Sequence, residues 1–180
     1  LGVLSQVFNI VFLRVWGPIV DRFGSKIVLT LSSSLYFFVI LGWTFTTMPE
    51  AHALTLPLLV FLHMLIGIAS AGINITTTTI RMKMSPSAQA TSYLTAVSLS
   101  ASLGAGIGPL LGGAFADFFD VRHLKVIIEW VDPSRVFNFP AFFLTGFDFL
   151  FAIAFVLGIF TVGLLSRMRE KGEVNSQEVM

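Results

Sequence analysis

Gly17-Pro18-Ile19-Val20-Asp21-Arg22-Phe23-Gly24-Ser25-Lys26 is the stretch on whose reading the fold depends, three charges and two glycines set between long apolar runs. A charged side chain at the centre of a membrane-spanning helix costs roughly 2.5–3.5 kcal/mol on the insertion scale. Asp21, Arg22 and Lys26 therefore mark where the chain leaves the lipid, and the segment is predicted to be a short loop between two spanning helices. The glycines let it turn back at once. A carboxylate beside two cations at a helix end is also suited to dock on the positive N-terminus of another helix, which would make the loop a latch.

Composition agrees with this reading. Of 180 residues, 55% are hydrophobic and 12% charged, against roughly 25% charged in soluble domains, and the mean hydropathy is +0.86. The class is an all-α membrane protein, a polytopic helical bundle. A formal net charge of +1 carries no message about nucleic acid, and the absence of cysteine excludes a disulfide scaffold and thiolate chemistry. No metal spacing and no phosphate-binding loop is present, so neither a metal nor another cofactor is expected. The chain opens at Leu1 inside an apolar run and is expected to be part of a longer protein.

Outward from the charged stretch, spanning helices are expected at residues 1–16, 27–47, 56–80, 86–116 and 145–165. About 21 residues at ~1.5 Å each cross the ~30 Å hydrocarbon core. In the first helix Gln6 and Asn9 share a face at i, i+3; they line a substrate path or make an interhelical hydrogen bond. Arg14 lies near the expected helix end and snorkels to the interface. Met48-Pro49-Glu50-Ala51-His52 makes a polar turn. The third helix carries a small-residue segment, Gly67, Ser70, Ala71 and Asn74, that allows close backbone approach. His63 is either a proton or substrate contact or a satisfied structural histidine. Ser85-Pro86 has the form of an N-cap followed by proline, expected to open the fourth helix. There Gly104, Gly108 and Gly112 recur every four residues as a smooth packing stripe, and Pro109 kinks it. Residues 117–144 form an extracytoplasmic connection in which Leu124, Ile127, Ile128 and Val131 recur at helical spacing. A short amphipathic surface helix with Trp130 near the headgroups is expected, with a plain loop as the alternative. Thr145-Gly146-Phe147-Asp148 resembles a capping box, and capping is favoured over a proton-coupling role for Asp148. The tail, 166–180, is polar and expected to be solvated.

Cations set the orientation. Arg22, Lys26, Arg81, Lys83, Arg167, Arg169 and Lys171 fall on one side, and Arg122, Lys125 and Arg135 on the other. The first group is expected to be cytoplasmic, the tail included.

The pattern at Gly17, Asp21, Arg22, Gly24 and Lys26 closely resembles the signature loop of the major facilitator superfamily of secondary transporters, where it follows the second helix of each six-helix half. The stretch Gly104 to Gly113, with Gly108, Pro109, Gly112 and Gly113, is similar to the glycine-rich motif on the fifth helix of antiporters in that superfamily. The resemblance implies helices eight to twelve of a twelve-helix permease, with helices two to six as the other option. His63-x-x-x-Gly67 stands where the family's fourth helix often has an arginine, which argues against the N-terminal half. It further implies a small-molecule substrate, alternating access against a missing N-terminal half, the lipid bilayer as surroundings, and a leaning towards proton-coupled efflux. The expected location is the bacterial inner membrane. By analogy the first, third and fourth helices border the cavity, so Gln6, Asn9, His63 and Asn74 are the pathway candidates. The absence of an intramembrane charge cluster points to neutral, zwitterionic or amphipathic solutes. An intramembrane enzyme lacks a nucleophile motif here; a non-transporting scaffold or receptor on the same fold is the alternative.

Overall fold

The computed structural model describes residues 1–46, 53–86 and 88–167. In these it contains α1 (Gly2–Phe23), α2 (Ser25–Thr44), α3 (Thr55–Met84), α4 (Ala90–Asp120), the strands β1 (His123–Asp132) and β2 (Arg135–Thr145), and α5 (Phe147–Ser166). All 5 helices are long and apolar enough to cross a membrane. The expected turn at 48–52 and the tail from 168 onward lie outside the described residues.

Residue contacts fix the course of the bundle. Gly67 of α3 lies against Ser5 and Phe8 of α1, while Gly72 and Ile75 face Trp16 and Gly17, so α1 and α3 run parallel. Gly42 meets Leu62 and Ser32 meets Gly72, so α2 runs antiparallel to α3. Phe38 packs on Phe155 with ring centroids 5.4 Å apart, and Trp43 on Phe151 at 5.9 Å, so α5 is antiparallel to α2. α1, α3 and α5 thus run in one direction and α2 in the other, as a chain crossing a bilayer back and forth requires. The core where α1, α2 and α3 meet is Trp16, Val20, Val28 and Ala71, with Phe12, Leu13, Ile19, Ile68 and Ile75 packed around it. Between α2 and α5, Ser34, Phe37, Phe38, Phe155, Ile159 and Val162 line an apolar crevice.

The charged stretch takes a tighter form than the expected loop. Gly17 to Phe23 are all helical, and α2 starts at Ser25. The reversal is made by Gly24 alone, at φ 88° and ψ 158°, with its N–H donating to Val20 O at 2.9 Å. Only glycine adopts such a backbone without strain. Pro18 lies inside α1, which continues through it to Phe23 although a proline there donates no backbone hydrogen bond. One consequence is that Arg14 is not near the end of α1. It stands nine positions before Phe23, about 13 Å along the axis at ~1.5 Å per residue.

The expected fourth-helix start is also displaced. Ser85 closes α3 with an extended backbone, ψ 123°, which suits the residue before a proline. The helix α4 opens at Ala90, after Gln89.

The segment after α4 corrects the expected surface helix. It is an antiparallel hairpin, with Leu124 paired to Leu144, Ile128 to Phe139, Trp130 to Phe137 and Asp132 to Arg135. Val126, Ile127, Ile128, Val131 and Val136 are β-branched, and Trp130, Phe137 and Phe139 aromatic, the composition that a pleated surface favours. The turn Asp132-Pro133-Ser134-Arg135 puts proline where its fixed φ begins a reversal, and Ser134 Oγ donates to Asp132 Oδ2 at 2.9 Å. The register slips between Val126 and Ile127, leaving Ala141 unpaired beside Pro140, as a proline in a strand requires. Paired residues share a face. One face of the hairpin therefore carries Leu124, Val126, Ile128, Trp130, Phe137 and Phe139, with the Asp132–Arg135 pair at its tip; the other mixes His123, Lys125, Glu129 and Asn138 with Ile127, Val131, Val136 and Phe143.

At the hairpin's root the Asp148 carboxylate accepts a hydrogen bond from the Thr145 N–H at 3.1 Å. This is the reciprocal arm of a capping box. The Thr145 side chain makes no cap bond, and the N-cap is Gly146.

Candidate transport pathway

A path through a membrane needs polar groups at depth that the chain's own packing does not consume. The seam between α1 and α3 decides which groups remain. Its close approach at Gly67 and Gly72, reinforced by the Trp16 indole N–H donating to Ile68 O at 2.9 Å, buries Trp16 and Val20. The opposite side of α1 is thereby left open. Gln6, Arg14 and Asp21 are exposed there, within an arc of about 80° at 100° per residue, whereas Asn9, seven residues before Trp16, lies on the seam's own face and is half-buried.

On α3, Asn74 is exposed. The threonines that follow satisfy themselves: Thr76 Oγ1 donates to Gly72 O at 2.6 Å, Thr77 to Ile73 O at 2.6 Å, Thr78 to Asn74 O at 2.9 Å and Thr79 to Ile75 O at 2.8 Å. Four hydroxyls in a row are thus bonded to carbonyls of their own helix. The side chains of Gln6, Asn9 and Asn74 are joined by no hydrogen bond among the described residues.

His63 is placed apart from these three. Its Nδ1 lies 2.8 Å from Leu59 O; a carbonyl only accepts, so Nδ1 carries a proton and donates. The ring packs on Trp43 at 5.2 Å, and Trp43 in turn touches Phe151. The histidine belongs to the α2–α3–α5 junction.

The two sequence motifs differ in what they meet. On the last turn of α1, Asp21 and Arg22 are exposed, with the Arg22 guanidinium 5.3 Å from the Phe23 ring centroid. A carboxylate at the C-terminal turn of its own helix faces that helix's negative pole, an unfavourable placement by about 0.3–1 kcal/mol. Gly104, Gly108, Gly112 and Gly113 have nothing within 4 Å of where a Cβ would stand, and α4 has no buried residue. Its close partner in the chain is α5, through Phe119 stacked on Phe149 at 4.5 Å. Pro109 lies inside α4, which continues through it to Asp120.

Arg14 is the residue that sequence reasoning misplaced. With α1 ended at Trp16 it reads as an anchor near the helix end; with α1 continuing to Phe23 it stands inside the helix. The signal that would have found it is the Arg14-to-Asp21 spacing, two helical turns on one face.

No match is found among curated proteins or solved structures. The profile of the Major Facilitator Superfamily matches residues 1–174, from the start of α1 past the end of α5 and including the hairpin. With five alternating spans and that match over nearly the whole chain, the protein belongs to the major facilitator superfamily of membrane transporters.

Proposed function

We propose that the protein is a secondary active permease that moves a small solute by alternating access, this chain supplying helices eight to twelve of a twelve-helix arrangement. The observation that carries this is the set of faces the chain leaves uncovered: the polar side of α1, the Asn74 side of α3, and the whole of α4, which spans the membrane and buries nothing. A second six-helix half facing α1, α3 and α4 would cover them and enclose a cavity between the halves. Gln6 and Asn74 then border the path, with Asn9 at the edge of the α1–α3 seam. Arg14 adds one cation to it, which favours an anionic or zwitterionic solute over a neutral one. His63, three turns before Asn74 on the same side of α3, is packed against the Trp43 ring. The stripe Gly104, Gly108 and Gly112 is the surface on which a helix of the second half packs closely, and Pro109 and Gly113 let α4 bend there.

Asp21 is the gate in this scheme. Docked on the N-terminus of a helix in the other half, its charge changes from opposing a helix dipole to complementing one. Gly17, Gly24 and Lys26 hold the tip in place. The surplus of cations at the α1–α2 turn, the end of α3 and the tail supports a cytoplasmic side there, the membrane in this proposal being a bacterial inner membrane, and the glycine-rich motif favours proton-coupled export.

Reconstitution of the full-length protein in proteoliposomes under an imposed proton gradient, with a library of labelled carboxylates, amino acids and neutral solutes, tests the proposal. Gradient-driven flux of an anionic or zwitterionic member, abolished by Gln6→Ala or Asn9→Ala, is the expected result. Binding without flux across the whole library would favour a receptor on the same fold.

A further inference from the structure

The hairpin is the largest feature that the transport scheme does not use. Its apolar face is exposed along its length, with Leu124 47%, Ile128 56%, Trp130 65% and Phe139 55% accessible. Water is a poor solvent for such a strip, so something covers it. Both strands are rooted at the membrane: β1 begins at His123 just after α4 ends at Asp120, and β2 ends at Thr145 just before α5 begins at Phe147. The root is held down, since Leu144 is buried and Asp148 binds the Thr145 N–H. The exposed strip is therefore continuous with Leu144 at the boundary where two spanning helices enter the lipid.

We propose that the apolar face of this hairpin rests in the headgroup region of the same bilayer that the five helices cross, with Lys125, Glu129 and Asn138 turned to water. Depth is limited by the backbone. A two-stranded sheet has an unpaired edge on each side, and unpaired N–H and C=O groups are excluded from hydrocarbon. The interface supplies water to those edges while taking up Trp130 and the phenylalanines, the level at which aromatic rings collect. Recognition is apolar rather than electrostatic: between the helices Arg122, Lys125 and Arg135 stand against Glu129 and Asp132, which leaves little net charge. The lipid contact rests on the membrane assignment alone and does not require transport.

The chain has no cysteine, so single nitroxide labels are placed without background. Ile128→Cys and Glu129→Cys, adjacent positions on opposite faces, are introduced into the full-length protein in phosphatidylcholine nanodiscs. Accessibility to oxygen and to a water-soluble nickel chelate is then compared by electron paramagnetic resonance. The ratio of oxygen to nickel accessibility is expected to be several-fold higher at 128 than at 129, and unchanged when anionic lipid is added. Equal, nickel-dominated ratios would mean that the hairpin stands in water and would overturn the proposal. So would dipolar broadening between labels at 128 in discs holding two copies, which would make a second copy the occupant, or a requirement for anionic lipid.

Discussion

Replacing Gly72 with alanine adds one methyl group at the most crowded crossing in the bundle. A Cβ there would stand 2.8 Å from Ser32 Cβ and 3.2 Å from Trp16 Cε2, and closer still to Ser32 Oγ. Neither neighbour has room to retreat, because Ser32 is 0% and Trp16 8% exposed. Overpacking of this kind costs about 1–3 kcal/mol. Alanine regains up to about 1 kcal/mol of helix propensity, but moving Trp16 also endangers its bond to Ile68 O, worth about 1 kcal/mol. The net expectation is a loss of about 1–3 kcal/mol, roughly 5- to 150-fold in the folding equilibrium. Ser32 Oγ has no hydrogen-bond partner, so Ser32→Gly removes the nearest obstacle without orphaning a donor, and it should partly rescue Gly72→Ala. Heat-induced aggregation of the purified protein in detergent, followed by size-exclusion chromatography for the four members of a double-mutant cycle, measures the coupling. If Gly72→Ala is as stable as wild type, or if the two substitutions simply add, the α2–α3 crossing is looser than described.

Arg14→Gln should lower transport of an anionic solute about tenfold or more, the loss of one charge-assisted hydrogen bond at about 1.5–3 kcal/mol, with Arg14→Lys retaining part; equal rates for all three would take Arg14 out of the path. Asp21→Asn should raise cytoplasmic accessibility of a cysteine at Gln6 and slow transport while leaving expression normal, and unchanged accessibility would refute the latch. Gly108→Leu should lose transport and heat stability of the full-length protein together, whereas Gly106→Leu, about 160° around α4, should keep most of both; equal tolerance would deny the stripe a packing partner. Single cysteines at the exposed positions Phe23 and Met84 should resist an impermeant maleimide in intact cells while those at Ala53 and Ser134 react, and the opposite pattern would invert the topology.

The membrane class and the approximate positions of the five helices were legible because hydropathy over about 20 residues is a summed signal that single residues cannot overturn. The ends were less legible. Asp21 and Arg22 read as loop because charge is excluded from hydrocarbon, yet a helix end can carry charge beyond the lipid, and α1 does so up to Gly24. Arg14 reads as near a helix end for the same reason, and its distance from that end depends on where α1 stops. The hairpin was the true ambiguity. Leu124, Ile127, Ile128 and Val131 fit a period near 3.6, and Leu124, Val126, Ile128 and Trp130 fit a period of 2 equally well; β-branched composition and the Asp132-Pro133 turn decide for strands. For the pathway, the polarity of Gln6, Asn9 and Asn74 was visible in the sequence, and His63 shares the Asn74 face of α3 at an eleven-residue spacing, but that the Trp43 ring of α2 packs on the imidazole depends on tertiary contact that no local pattern encodes.

The single-residue joint at Gly24 has a mechanical meaning. Two helices connected by a long loop drift independently, but α1 and α2 share only the φ and ψ of one residue. A change in the angle between them is confined to that residue or to the bend allowed at Pro18. The assembly behaves as a crank: tilting the intramembrane arm of α1 swings Asp21 and Arg22 through a fixed arc at the membrane surface, with Gly24 as the bearing. Position of charge at the surface is thereby geared to posture of the helix within, and a lengthened joint, such as two glycines inserted after Gly24, would let the arm tilt while the charges stay still.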